Sequence, residues 1–547
     1  MFHRARSLLA PCLSARARRL GTALALLALA GCGVERTVEH GTTSELFARG
    51  LDQITDLYIL PISGQTLVLV GAKNLMKLDP HLVVTIGGQV GDRHVTLSYD
   101  GTAYANYAVP SEIDDLTGGQ VIAGLIASAK KASPKVAAMS EDTIDKAVFD
   151  GMTGALDRFS RYASPDEARD QRAARDGFGG IGVTLETAKD DFSITAVSDN
   201  SPASRAGLKV GDKIVAVDGN PVAGHPAAEI IRQLRGPIGS VVALTVARPG
   251  APANLDFTMN RALVVVPTVT MSRNGNIAIF RVASFNQSTT ERVTEGLIQA
   301  ERQANGHLAG IVLDLRGDPG GLLDQAVSLS DLFIEKGPII STIGRHPASH
   351  QYFAATGRAI APSTPIVVLV NGGSASASEI VAAALQDVGR AVVVGSSSYG
   401  KGTVQTVMRL PNDGELTLTW ARLVTPSGYF LQKHGVVPTL CTDGVADSPG
   451  AVDTVLQRPV DARDPDTSHP RVSLSDAAWS TLRQSCPAES TKSPLDVRVA
   501  ERLLSDPTRY AAALGAIHPP TSAALVPSGA AALTAGGSGL SSPSRTP

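Results

Sequence analysis

The chain has 547 residues, a formal charge of −2, 43% apolar residues and only 4% aromatics. Such a balance offers no basic footprint for nucleic acid, and it leaves enough Ala, Val and Leu to fill sizeable cores. The length sets an expectation of three or four domains.

The first residues read as a processing segment. Arg4, Arg6, Arg16, Arg18 and Arg19 stand without an acidic neighbour, and the apolar stretch Leu20 to Ala30 is too short to span a bilayer comfortably. It ends Leu29-Ala30-Gly31-Cys32, which resembles the bacterial lipoprotein signal. That reading makes residues 1–31 a signal peptide and Cys32 a lipidated N-terminus. The body is then a periplasmic protein of the bacterial cell envelope, lipid-anchored to a membrane. Losing the five arginines moves the formal charge to −7. Of the four cysteines, Cys441 and Cys486 then remain as a pair, and an oxidising compartment favours a disulfide between them. No CxxC, HExxH or Cys–His cluster is present, so neither a metal site nor a cofactor is expected.

Residues 33–45 are polar and read as a tether, opening a mixed helical N-terminal domain over 32–170. Two stretches, Leu67 to His81 and Ile144 to Ser160, read as helices with similar wording; in the second, Val148, Met152 and Leu156 share one face. Between them the sequence alternates like a strand, as in Val95 to Tyr99, and the segment around 80–110 suggests no role. A second unit, 171–264, opens on the glycine-rich Gly177 to Val183. Ala227 to Leu234 follows as a helix and Val241 to Ala247 as a strand. From 265 to 440 strands and helices alternate, the mark of an α/β domain. Ile277–Val282, Gly310–Arg316, Pro365–Asn371 and Ala391–Gly395 read as strands, with helices at Thr289–Ala304, Leu322–Ile334 and Ser376–Val388. Thr403–Leu410 and Leu416–Val424 read as an antiparallel pair about the turn Pro411 to Gly414. A C-terminal helical region is expected over 441–517 and a disordered tail over 518–547, which is rich in Pro, Ser, Gly and Ala.

Ser376 lies between a strand and a helix, in Asn371-Gly-Gly-Ser-Ala-Ser-Ala-Ser-Glu379. The unpaired N–H groups of a helix N-terminus suit the oxyanion formed when a serine attacks a carbonyl, and Ala377 supplies one donor. Taken alone, Ser374, Ser376 and Ser378 are also ordinary N-caps. Lys401, 25 residues on in Gly400-Lys-Gly-Thr-Val-Gln405, changes the balance. Burial can lower a lysine towards neutrality and make it a base for the serine. Gln405 would sit on the same side as Lys401 in a strand and could orient the amine. A second oxyanion donor is expected from the turn in Asp314-Leu-Arg-Gly-Asp-Pro-Gly-Gly321, at Gly321. No Gly-Lys-Ser/Thr follows, so this turn is not a phosphate cradle.

With these pieces in order, residues 140–440 resemble the carboxyl-terminal processing (tail-specific) serine protease family. The motifs are Leu156-Asp-Arg-Phe-Ser-Arg-Tyr162, Gly179-Gly-Ile-Gly-Val183, Leu234-Arg-Gly-Pro-Ile-Gly239, Leu313 to Gly321, Gly373 to Glu379 and Gly400 to Gln405. The resemblance implies Ser376 as nucleophile, Lys401 as general base, Gln405 as its support, and Asp387 as a residue that matters for the site's structure. It implies a multidomain α/β and α+β fold, with a PDZ domain at 171–264 placed before a Ser/Lys protease core at 265–440 of the crotonase or Clp-protease type. Gly180, Ile181, Gly182 and Val183 become the peptide-binding loop, where backbone N–H groups take a carboxylate and the strand edge accepts the peptide. Two positions depart from the family's pattern: Asp318 stands where Asn is commoner, and Thr439 where Asp is usual.

The leading expectation is an endopeptidase that recognises unfolded or tail-exposed proteins by their C-termini and works through an acyl-enzyme on Ser376. A catalytically silent PDZ scaffold and, more weakly, a small-molecule esterase or amidase are the rivals. Natural substrates, an adaptor and homo-oligomerisation stay open.

Overall fold

The computed structural model of the chain describes residues 42–89, 91–188, 191–460 and 474–515. Cys32, the signal region and the tail 518–547 lie outside the described residues.

The first helix is Thr43–Leu57, so the polar tether does not extend to residue 45. Thr42 and Glu45 close a capping box: the Glu45 N–H donates to Thr42 Oγ1 (3.3 Å) and the Thr42 N–H to Glu45 Oε2 (2.8 Å). The two similar helical stretches fold as Gly64–Asn74 and Glu141–Thr153 and pack against each other. The second stops short of Leu156. Asp157 Oδ1 accepts the N–H groups of Phe159 (2.7 Å) and Ser160 (3.0 Å), a side-chain turn that ends the helical path. Leu82–Gln89, Asp92–Tyr99 and Thr102–Pro110 form an antiparallel three-stranded meander. Its Val84, Val95, Leu97 and Val109 are buried against the helices. Leu410, Leu416 and Leu418, from a distant hairpin, complete this core.

The next unit is a five-strand path in the order Leu255–Asn260, Val241–Ala247, Lys213–Val217, Asp191–Val197, Val183–Ala188, with the helix Ala227–Leu234. Val183–Ala188 lies at the sheet edge. The short strands Phe178–Gly180 and Ala262–Val264 pair antiparallel at the unit's entry and exit.

The largest sheet has six strands: Val269–Asn274, Ile277–Val282, Gly310–Asp314, Ile366–Val370, Val392–Gly395 and Leu440–Cys441. The first pair is antiparallel and the others parallel. Ile366–Val370 is buried throughout, as a strand covered on both faces must be. Thr289–Gln303, Leu323–Asp331 and Ala377–Asp387 supply residues to the core on one face. On the other, Val455, Val499, Leu503 and Tyr510 pack on Val312, Val367 and Val394. The C-terminal helices Ala451–Leu456, Pro494–Leu504 and Pro507–Gly515 therefore complete the core instead of standing as a separate region. A second sheet, in the order Gln351–Ala354, Pro338–Ile343, Glu415–Val424, Thr403–Arg409, carries Gln405, and Arg161–Ala163 pairs with its third strand. Among the described residues no helix is long and apolar enough to cross a membrane.

Candidate active site

Parallel strands end at one edge of the large sheet, and their loops carry several of the candidate residues. The strand Ile366–Val370 runs into Asn371, whose N–H donates to Ser374 Oγ (3.0 Å); that hydroxyl donates to the Leu315 carbonyl (2.8 Å). The chain then enters the helix Ala377–Asp387, every residue of which is buried. Between them Ser376 has φ 57° and ψ −111°, a strained backbone for any residue but glycine. Ser376 is also the N-cap of that helix and pairs with Glu379 three residues on. The sequence shows no G-x-S-x-G elbow and gave no sign of the backbone strain.

Ser376, Ala377, Lys401, Gln405, Gly320 and Gly321 line one cavity of about 480 Å3. Phe285, Leu322, Ile380, Val404 and Leu423 supply its apolar wall, and Arg161 and Arg175 reach its rim. A more open hollow of about 780 Å3 lies among Glu45, Arg49, Asp115 and Arg409, but no serine, cysteine or lysine lines it.

Lys401 sits on the loop before the strand Thr403–Arg409. Gly402 cannot be replaced without moving backbone: a Cβ there would lie 1.9 Å from the Gln432 nitrogen. Burial pushes the Lys401 amine below the ordinary lysine range, and the charges of Arg161 and Arg158 add to this; Glu379 and Asp157 oppose it. The Nζ stands 5.0 Å from the Phe159 ring centroid and makes no hydrogen bond with any described residue, Ser376 Oγ included. Gln405 donates through Nε2 to Thr403 Oγ1 (3.0 Å) and Thr419 Oγ1 (3.2 Å), which leaves its carbonyl oxygen to face other partners.

The Gly320 N–H donates to Asp318 Oδ1 (2.8 Å). The N–H groups of Gly321 and Ala377 bond to no described residue. Asp387, at the far end of the same helix, accepts from the Ser427 N–H (3.0 Å) and hydroxyl (2.6 Å), fixing the helix to the turn after Glu415–Val424. Thr439 Oγ1 accepts from Gln386 Nε2 (3.1 Å).

Glu379 is the residue whose role the sequence reading missed. Its Oε2 accepts the N–H groups of Ser376 (2.8 Å) and Lys401 (2.9 Å); its Oε1 accepts the Gly400 N–H (2.7 Å) and the Ser398 hydroxyl. Burial pushes this carboxyl up, and the four donors pull it back. The signal was available: Ser376-Ala-Ser-Glu379 has capping-box spacing. Arg158, Phe159 and Arg161 are the other unforeseen neighbours. They come from the motif at 156–162, whose place beside Lys401 depends on pairing with Glu415–Val424.

Further out, Cys441 and Cys486 form a disulfide with a Cα–Cα distance of 5.8 Å. In the second unit Gly180 ends a strand, Ile181 and Gly182 form a loop and Val183 begins the edge strand. The N–H groups of Ile181 and Gly182 bond to no described residue, while their carbonyls accept from Ala203 (2.9 Å) and Ser198 (2.9 Å). Among the described residues no cluster of His, Cys, Asp and Glu could hold a metal ion.

Residues 276–441 match the model of peptidase family S41, and residues 193–248 that of a PDZ domain. The chain is 39% identical over 298 residues to the carboxy-terminal-processing protease of Bartonella bacilliformis, covering 54% of this chain and 68% of that protein. It is 33% identical over 301 residues to the carboxy-terminal processing protease CtpA of Bacillus subtilis, covering 54% and 64%. The matched stretch thus spans about two thirds of these relatives' length. The solved photosystem II D1 C-terminal processing protease is similar at 28% identity, over 56% of this chain and 84% of its own, with a TM-score of 0.33.

Proposed function

The chain belongs to peptidase family S41 and carries a PDZ domain before its protease core, and from that premise we propose that it is a serine endopeptidase acting through an acyl-enzyme on Ser376. One observation carries the reading: Ser376 and a half-buried Lys401 of lowered pKa line the same cavity and hang by their backbones from one carboxylate oxygen.

In this reaction Lys401 Nζ takes the Ser376 hydroxyl proton as Oγ bonds to the scissile carbonyl carbon. The resulting oxyanion receives the free N–H groups of Gly321 and Ala377. The C–N bond then breaks, and the protonated lysine returns its proton to the leaving amine. Water repeats the cycle on the ester, again with Lys401 as base. The Gln405 carbonyl oxygen holds the amine by accepting one of its hydrogens. Asp387 supports the helix that presents Ser376.

Substrates are polypeptides with accessible C-terminal tails. The tail carboxylate meets the N–H groups of Gly180, Ile181, Gly182 and Val183, and its backbone adds to the edge strand Val183–Ala188. Cys32 carries the lipid that ties the enzyme to a membrane of the cell envelope on the periplasmic side.

A silent scaffold draws on one observation, the missing hydrogen bond between Lys401 Nζ and Ser376 Oγ. Catalytic hydrogen bonds commonly tighten only around substrate, so this does not outweigh the shared cavity. Incubation with casein and a fluorophosphonate probe decides between the two. The enzyme cleaves casein and is labelled at Ser376, and Ser376→Ala and Lys401→Ala each lose cleavage with the fold intact. Wild-type cleavage by either variant, or no labelling of the parent, overturns the assignment.

A further inference from the structure

Asp318 sits under the turn that lines the cavity floor, with no exposed surface. Its Oδ1 accepts the Gly320 N–H at 2.8 Å, and its backbone carbonyl accepts the Ala375 N–H and the Ser378 hydroxyl, each at 2.9 Å. The residue therefore grips both the Gly320–Gly321 turn and the two flanks of Ser376. The two segments are in close contact: a Cβ on Gly320 would stand 2.8 Å from the Ala377 nitrogen and 2.9 Å from Ser376 Cβ. Asp318 Oδ2 is buried and has no hydrogen-bond partner.

A buried carboxylate with one donor on one oxygen and none on the other is an expensive anion. The charged groups around it do not remedy this. From the strand Ile277–Val282, Arg281 faces it, but that guanidinium is engaged by Asp314 Oδ2 (3.2 Å) and the Arg316 carbonyl (3.4 Å). Arg316 is tied to Asp314 and Asp496, and Lys492 lies beyond Gly317. On the helix side Ser378 gives its hydroxyl to the Asp318 backbone, and Glu379 turns to the Lys401 loop. Lys401 is across the cavity.

We propose that Asp318 is a positioning residue that works as a neutral carboxylic acid, keeping the floor of the cavity uncharged so that the oxyanion can form beside it. The proposal rests on Ser376 being the nucleophile. Burial pushes this carboxyl up to about 7, with the Gly320 N–H, Ser378 and Arg281 pulling it down only in part. The enzyme then needs two neutral groups of opposite titration. Lys401 gains competence as pH rises and Asp318 loses it, so activity is confined to a window with an alkaline limb set by Asp318.

The test is the pH profile of casein cleavage by the full chain and by Asp318→Asn, which holds the neutral form at every pH. The ratio of kcat/KM for Asp318→Asn to that of the parent rises at least about tenfold between about pH 6.5 and pH 9. A ratio that stays constant, or an inactive variant at every pH, overturns the proposal. A second readout does not depend on catalysis. Asp318→Asn gains several degrees of Tm over the parent at about pH 8 and far less at about pH 4.5. Equal gains at both, or a variant that does not fold, also overturn it, because a neutral isostere is what the site is held to contain. If the parent neither cleaves casein nor labels with fluorophosphonate, the Ser376 reading fails while the Tm comparison still reports on Asp318.

Discussion

Ser376 and Lys401 donate their backbone N–H groups to the same atom, Glu379 Oε2, at 2.8 and 2.9 Å. The nucleophile and base of the proposed reaction, on different segments, are thus positioned by one buried carboxylate instead of by contact with each other. Its other oxygen holds Gly400 and Ser398, and Arg483 approaches from behind, donating to the carbonyls of Ser398 (2.9 Å) and His434 (2.6 Å).

Glu379→Gln tests this linkage. The amide offers an acceptor to one pair of donors and turns its own N–H groups on the other pair. Losing two good acceptor contacts in a buried site costs about 1–3 kcal/mol. Part of that falls on the Ser–Lys geometry, so kcat drops about tenfold to a hundredfold with KM little changed. Steady-state kinetics, with fluorophosphonate labelling rate as a second measure of Ser376, check the outcome. A variant with the parent's kcat would make Glu379 a packing residue only.

Arg161→Gln moves the ascending limb of the kcat/KM profile to higher pH. The Arg161 charge disfavours the ammonium of Lys401, so removing it raises the lysine's pKa and leaves less free amine near neutrality. Activity at about pH 7 falls roughly two- to fivefold, and the ratio of variant to parent returns towards one as pH rises. A profile that loses amplitude without shifting would mean that Arg161 contacts substrate instead.

Local signals were enough for the parts of the site that lie in one run of chain. Ser376, Ala377, Lys401, Gln405 and Gly321 come from three glycine-flanked runs, and all five line the same cavity. The helix Ala227–Leu234 and the strand Val241–Ala247 keep their expected bounds because turn residues bracket a clear period. What the sequence hid depends on long-range pairing. Phe159 and Arg161 reach Lys401 only because Arg161–Ala163 joins Glu415–Val424. The C-terminal helices look like a separate region until Leu503 and Tyr510 are seen on the second face of the large sheet. The backbone strain at Ser376 is invisible in principle, since serine gives no hint of positive φ.

The Cys441–Cys486 bridge closes a separation of 45 residues, and Cys486 is buried. The segment it holds supports the site from outside. Glu489 bonds Gly372 (2.6 Å) and Ser396, Arg483 bonds Ser398, and Trp479 stacks on His434 at 4.7 Å. Replacing both cysteines by serine costs about 4 kcal/mol of stability by the chain-entropy account. It also lowers kcat, because Ser396 to Ser398 lead directly into the Lys401 loop. Thermal unfolding and casein cleavage, with and without dithiothreitol, check this. Reductant lowers both in the parent and neither in the double variant.

Asp145 predicts a pH dependence of stability away from the site. It is buried on the helix Glu141–Thr153, and its carboxyl is pushed up to about 7 by burial first, then by Glu141 and Asp142; Lys130 and Asn412 oppose them. A carboxyl raised in the folded state stabilises the fold while it is protonated. That stability is lost as pH climbs from the unfolded value, about 3.9, to the folded one. Above pH 7 the full penalty is present, up to about 4 kcal/mol. Asp145→Asn removes the titration, so its gain over the parent is near zero at about pH 4 and levels off above about pH 7. Urea unfolding across that range measures it, and a gain independent of pH would place the Asp145 charge in solvent or in an ion pair.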